Sequence, residues 1–121
     1  MCAEAYHEPF DIIPEEGRDN HRALVSMIEE FQAIDWYHQR IQATKDDELR
    51  AILAHNRDEE KEHAAMALEW LRRRDPVLDR HLRTYLFTEG SIVGEEQEAE
   101  HGDGGPGAGS LQLGSTMEET E

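Results

Sequence analysis

Residues 54–74 read AHNRDEEKEHAAMALEWLRRR, and this stretch decides the fold. Projected at about 100° per residue, Leu53, Ala67, Trp70 and Leu71 fall on one face of a helix, and Asn56, Glu60 and His63 lie inside the same arc. Polar side chains on successive turns therefore interrupt a face that otherwise reads as buried. No Gly or Pro occurs from 44 to 75, and Pro76 stops the run. At its front, Thr44 with Asp47 three residues on resembles an N-terminal capping arrangement. The full apolar stripe is Leu49, Ile52, Leu53, Ala67, Trp70 and Leu71.

Upstream, a second uninterrupted stretch runs from Asp19 or Asn20, a suitable N-cap, to about Ala43. Ala23, Met27, Ile34, Tyr37 and Ile41 recur on it at helical spacing. Before it, Pro9, Pro14 and Gly17 break up residues 1–18, which read as an N-terminal arm with one helical turn. Downstream, a shorter helix starts with Pro76 at its first position, buries Leu78, Leu82, Tyr85 and Leu86, and ends before Gly90. After Gly94 the composition turns to Gly, Glu and Ser, which predicts a disordered acidic tail over 91–121. Only GSLQLGS at 109–115 interrupts that tail with two leucines. No strand-period alternation is present. The expected architecture is all-α: an antiparallel two-helix hairpin plus a short C-terminal helix, over residues 19–90.

The 121 residues allow one small domain. They carry 28 acidic and 12 basic side chains for a formal net charge of -16, and the stretch 91–121 holds no Lys or Arg. A polyanion is repelled by nucleic-acid phosphates and anionic lipid headgroups and draws cations into acidic clefts, so neither a nucleic acid nor a membrane is expected as a partner. The single cysteine, Cys2, makes no intrachain disulfide and fits a reducing, cytoplasmic compartment. The opening MCAEAYHEPF lacks the basic and apolar regions of a signal peptide, and no apolar run approaches the ~20 residues that span a bilayer.

Glu30 falls inside the apolar arc of the first long helix, facing the same core as Glu60 and His63. An ionised carboxylate removed from water without a partner costs several kcal/mol, so this arrangement needs a compensating cation. Arg57 and Lys61 project to the other side of their helix, leaving a metal better placed than a salt bridge. Glu60-x-x-His63 has the spacing that di-iron carboxylate bundles use, and its oxygen and nitrogen donors suit iron or manganese, with zinc as a competitor. Such a bundle takes a Glu from each of two helices and a Glu-x-x-His from each of two more; this chain offers half of that set. A two-fold axis between two chains supplies the rest, giving a ferritin-like four-helix bundle with four Glu and two His around two metals. The competing interpretation is a polar seam that fixes dimer register without metal.

On the neighbouring side of the second helix, His55, Glu59 and Glu62 read either as a secondary site for calcium or another hydrated divalent cation, or as a solvated acidic face. Tyr37 lies on the Glu30 side, as a hydrogen-bond partner of a metal ligand or as an ordinary core tyrosine. Trp36 projects the opposite way, near Glu29 and Gln32, toward a second interface.

The segments MIEEFQAIDWY (27–37), AHNRDEEKEHAAMALEWLRRR (54–74) and HLRTYLFTEG (81–90) resemble the encapsulated ferritins, over about residues 7–90. GSLQLGS resembles the peptide that docks such proteins inside an encapsulin shell. The resemblance implies that Glu30, Glu60 and His63 are the ligands of a ferroxidase, contributed twice across a dimer interface, with Tyr37 close by. It implies a ring of five dimers, a homodecamer, with the His55, Glu59 and Glu62 cluster binding metal at another subunit contact. It also implies oxidation of ferrous iron by dioxygen and storage of the ferric mineral by the surrounding nanocompartment. Two departures stand out. The family commonly has a second acid near Glu29 where this chain has Gln32, which weakens an iron entrance at Glu29 and Trp36. The docking peptide reads Leu111-Gln112-Leu113 where apolar-small-apolar is usual. The alternatives are a metal-independent helical adaptor and a zinc- or manganese-binding protein without oxidase activity.

Overall fold

The structure is a computed structural model that describes residues 5–103. The docking-like peptide at 109–115 and Cys2 lie outside the described residues. All described regular structure is helical, and no helix among these residues is long and apolar enough to cross a membrane. The chain divides into two compact units after Asp75.

The first unit is a hairpin of α1 (Glu15–Ala43) and α2 (Asp47–Arg74). Its antiparallel pairing is explicit in three cross-contacts. Arg50 Nε donates to the Ile41 carbonyl at 3.3 Å, an Arg57 guanidinium nitrogen lies 3.2 Å from His38 Nδ1, and His63 lies beside Glu30. Helix α2 is capped by Asp46, whose carboxylate accepts from the Leu49 amide at 3.0 Å. Thr44 is instead the residue that closes α1, and its hydroxyl oxygen accepts from the Asp46 amide at 3.2 Å. The expected Thr44 cap is thereby moved two residues on: once the Thr44 amide bonds back to the Arg40 carbonyl, Thr44 belongs to the preceding helix.

Helix α1 starts four residues before the expected Asp19 boundary. Pro14 sits at its N-cap, where a missing N–H costs nothing, and the Arg18 amide donates to the Pro14 carbonyl at 3.0 Å. Gly17 is accommodated because a Cβ there would lie 3.0 Å from the Ile13 side chain. The arm before α1 contains one 3-10 turn, Phe10–Ile12, and folds back on α1. Arg18 stacks 3.8 Å over the Phe10 ring and donates to the Phe10 carbonyl at 2.8 Å, while Tyr6 lies 4.1 Å from the His21 ring.

Two helices cannot enclose each other's apolar faces. Ala64 and Leu71 are the buried apolar residues of the hairpin, whereas Leu24, Ile28, Phe31, Leu49, Ile52 and Met66 remain exposed.

The second unit contains α3 (Pro76–Tyr85) and α4 (Ile92–Asp103), which pack on each other. Leu78, Leu82 and Tyr85 are half-buried; Leu86 is exposed, against expectation, because it lies beyond the last helical turn. The chain leaves α3 through Phe87 at φ 64, a left-handed conformation that ends helices. Helix α4 occupies part of the stretch expected to be without structure. Ser91 explains it, because its hydroxyl oxygen accepts from the Gly94 amide at 3.1 Å and caps the turn. The following Glu, Gln and Ala are strong helix formers, and Glu95 sits at the positive end of the dipole. Burial and the nearby Glu96 and Glu100 carboxylates push the Tyr85 hydroxyl above its ordinary pKa.

Candidate metal centre

Midway along the hairpin, α1 presents Glu30 and α2 presents Glu60 and His63. One donor atom from each lies within 4.8 Å of the others, and this is the only such group of three among the described residues. His63 Nδ1 is 3.0 Å from a Glu60 oxygen and 4.0 Å from a Glu30 oxygen. The side chains of Glu30 and Glu60 are 26% and 23% exposed and that of His63 is 43% exposed, so the cluster opens to one side of the hairpin. As the projection requires, no Lys or Arg neutralises it: Arg57 bonds to His38 and Asp58, and Lys61 pairs with Asp58 at 3.4 Å.

In the metal-free protein the three groups shift one another's titration. A hydrogen bond with Glu60 is the main reason the Glu30 carboxyl is held above its ordinary pKa, with burial adding to it. The same hydrogen bond, together with one from His63, holds Glu60 below its ordinary value. His63 is raised by its hydrogen bond to Glu60 and by the charges of Glu60 and Glu30. Glu30 thus contributes stability that is present below pH ~4.5 and lost as pH rises through its folded pKa; His63 does the same from ~6.5 upward. Glu60 works in the opposite sense, its contribution being lost as pH falls. A divalent ion competes with protons for Glu30 and His63. Metal binding is therefore expected to release protons below the folded pKa of each group and to tighten as pH rises, the His63 share persisting above ~6.5 and fading as pH passes its raised folded value. Calorimetry in buffers of different ionisation enthalpy measures the release, and His63→Gln should remove its higher-pH part.

The other expected site residues are placed as follows. His55 Nε2 and Glu59 lie 3.6 Å apart on the exposed side of α2, and Glu62 does not join them within ligating distance. Tyr37 is half-buried with Arg40 over its ring at 5.4 Å, and makes no hydrogen bond to Glu30, Glu60 or His63. Trp36 is half-exposed and lines a shallow pocket with Gln39 and Arg40; Glu29 is exposed outside it. The sequence reading did not foresee a groove of about 390 Å³ in the hairpin, lined by Asp19, Arg22, Ala23, Ser26, Met66, Ala67 and Trp70. Its signal was present in the spacing: Ser26 is one turn before Glu30, and Met66 one turn after His63.

A hairpin with Glu on one helix and Glu-x-x-His on the other is the half-unit of a ferritin-like carboxylate bundle. The chain belongs to the EncFtn-like family, whose model matches residues 5–89. It is 55% identical over 125 aligned positions to an encapsulated ferritin-like protein of Rhodospirillum rubrum, covering 95% of this chain and 89% of that one. It is 43% identical over 54 positions to the encapsulin nanocompartment cargo protein EncC of Myxococcus xanthus, covering 45% of this chain and 42% of that one. Among solved structures it is similar to protein ne0167 of Nitrosomonas europaea, with 59% identity, a TM-score of 0.72, and coverage of 73% of this chain and 97% of that one.

Proposed function

We propose that this protein is a ferroxidase that serves an encapsulin nanocompartment. The observation carrying the proposal is the convergence of Glu30, Glu60 and His63 from two helices with no Lys or Arg paired to them. Two chains pair about a two-fold axis, so that each contributes these three ligands to a site holding two ferrous ions. The exposed apolar side chains on both helices of the hairpin support pairing. Four carboxylates balance two divalent ions. Each iron gives up one electron, and dioxygen takes the two electrons and two protons to leave as hydrogen peroxide, or is reduced further to water. Glu30 would bridge the ions, Glu60 and His63 would together hold each of them, and Tyr37 stands on the same side of α1.

The dimers assemble into a ring of five, with His55, Glu59 and Glu62 as a secondary cation site at a contact between subunits. Ferrous iron is drawn in by the acidic surface, with Glu29 and Trp36 at an entrance weakened by Gln32. The peptide at 109–115 docks the ring to the cytoplasmic shell, which stores the ferric product. The names of the Rhodospirillum and Myxococcus relatives support this placement.

Ferrous titration under anaerobic conditions, followed by oxygen admission, tests the proposal. We expect one iron bound per chain with a shift toward the paired form, and then oxygen uptake stoichiometric with ferric product. Assembly indifferent to iron and chelator, with no oxygen uptake, would identify a helical adaptor. Binding without oxygen uptake would identify a zinc or manganese buffer.

A further inference from the structure

We infer that Met66 is a modification site, a thioether that traps hydrogen peroxide formed at the carboxylate–histidine cluster; this rests on the ferroxidase reading above. Met66 is 58% exposed in the single chain, an unusual position for so apolar a side chain. It lines the groove formed with Ala23, Ser26, Ala67 and Trp70. Asp19 and Arg22 complete its lining, and each wall lies one helical turn from a cluster residue. Met66 is three residues after His63 on α2, and Ser26 is four before Glu30 on α1, separations that place Cβ atoms about 5–6 Å apart on a helix face. Peroxide leaving the cluster along the hairpin therefore meets a polarisable sulfur within one turn.

The chemistry balances without a further reagent. The sulfur lone pair attacks one peroxide oxygen, an S–O bond forms as the O–O bond breaks, and the other oxygen leaves as water after proton transfer. Sulfur is oxidised by two electrons and peroxide is reduced by two, giving methionine sulfoxide and water. The only cysteine, Cys2, lies outside the described residues. The other methionines are Met1, Met27 and Met117, and Met27 is half-buried on α1.

The test quantifies sulfoxide at each methionine in the full-length protein after aerobic ferrous turnover, with and without catalase, and after free peroxide added to the metal-free protein. Tryptic peptide 62–72 isolates Met66, and fragmentation separates its oxidation from that of Trp70. We expect turnover to raise the Met66 share relative to Met1 and Met117 by roughly fivefold or more over free peroxide, and catalase to leave Met66 sulfoxide in place. Met66→Leu, which keeps apolar volume, should oxidise iron within about twofold of the natural chain and lose the modification from this peptide. An unchanged Met66 share, or complete protection by catalase, overturns the inference while ferric product still forms. Absence of iron oxidation overturns both this inference and the ferroxidase proposal.

Discussion

Glu30→Ala, Glu60→Ala and His63→Ala are each expected to slow aerobic iron oxidation by on the order of 100-fold or more, while helix content stays near that of the unmodified protein. The size of the effect follows from symmetry. If two identical chains share the site as proposed, one substitution deletes two ligands, so no ion keeps its full set. The sparing of the fold follows from exposure: the cluster opens to one side of the hairpin, and neither Ala64 nor Leu71, its buried apolar residues, is altered. Initial rates of ferric product formation together with circular dichroism check both parts. Wild-type rates in all three variants would remove these residues from the reaction.

Glu30→Gln separates a ligand role from a packing role. Glu30 is the carboxyl held above its ordinary pKa by its hydrogen bond with Glu60, so its stabilising contribution fades as pH rises through the folded value. A glutamine amide keeps a donor for Glu60 at every pH but cannot act as an anionic bridge. Near neutral pH the metal-free variant should therefore melt at or above the temperature of the unmodified chain, with iron-linked stabilisation lost. Thermal melts with and without anaerobic ferrous iron read the two effects in one sample.

The hairpin was legible because helical spacing is a direct record of which face is covered. Glu30, Glu60 and His63 could be placed together because each sits inside an apolar arc, where an uncompensated carboxylate needs a reason. What projection onto a helix wheel does not supply is reach along the axis. Tyr37 is seven residues from Glu30, and Glu62 seven from His55. Seven residues rise by about 10 Å, a gap that the long Arg22 side chain closes to Glu15 at 3.1 Å but that Tyr37 does not close to Glu30. Within the single chain Glu62 likewise stays outside the His55–Glu59 pair. The Arg57–His38 contact was hidden for another reason, since pairings between helices depend on the register of the hairpin. Helix α4 was missed because Gly- and Glu-rich composition outweighed a local signal, Ser91 capping Gly94 ahead of strong helix formers.

Deletion of residues 109–121 is expected to abolish capture by an encapsulin shell and to leave the rate of iron oxidation within about twofold of the full chain, since the cluster belongs to the hairpin unit. Leu111 and Leu113 are the only leucines after Leu86. Burying two leucines contributes about 3–6 kcal/mol before the costs of association, in the range of a contact of millimolar strength or weaker. One tail is therefore a poor anchor. Several tails on one assembly facing many equivalent shell sites gain about 10²–10⁴ in overall avidity, enough to make encapsulation persistent. Capture should then fall steeply in two separate ways. Leu111→Ala combined with Leu113→Ala removes the contact itself. A variant that cannot assemble, but retains its tail, removes the multiplicity. Co-expression with a shell protein, followed by sizing and measurement of the cargo-to-shell ratio, reads both. Full loading by the chain lacking 109–121 would move the docking determinant elsewhere, whereas full loading by an unassembled chain would show that a single tail binds far more tightly than two leucines permit.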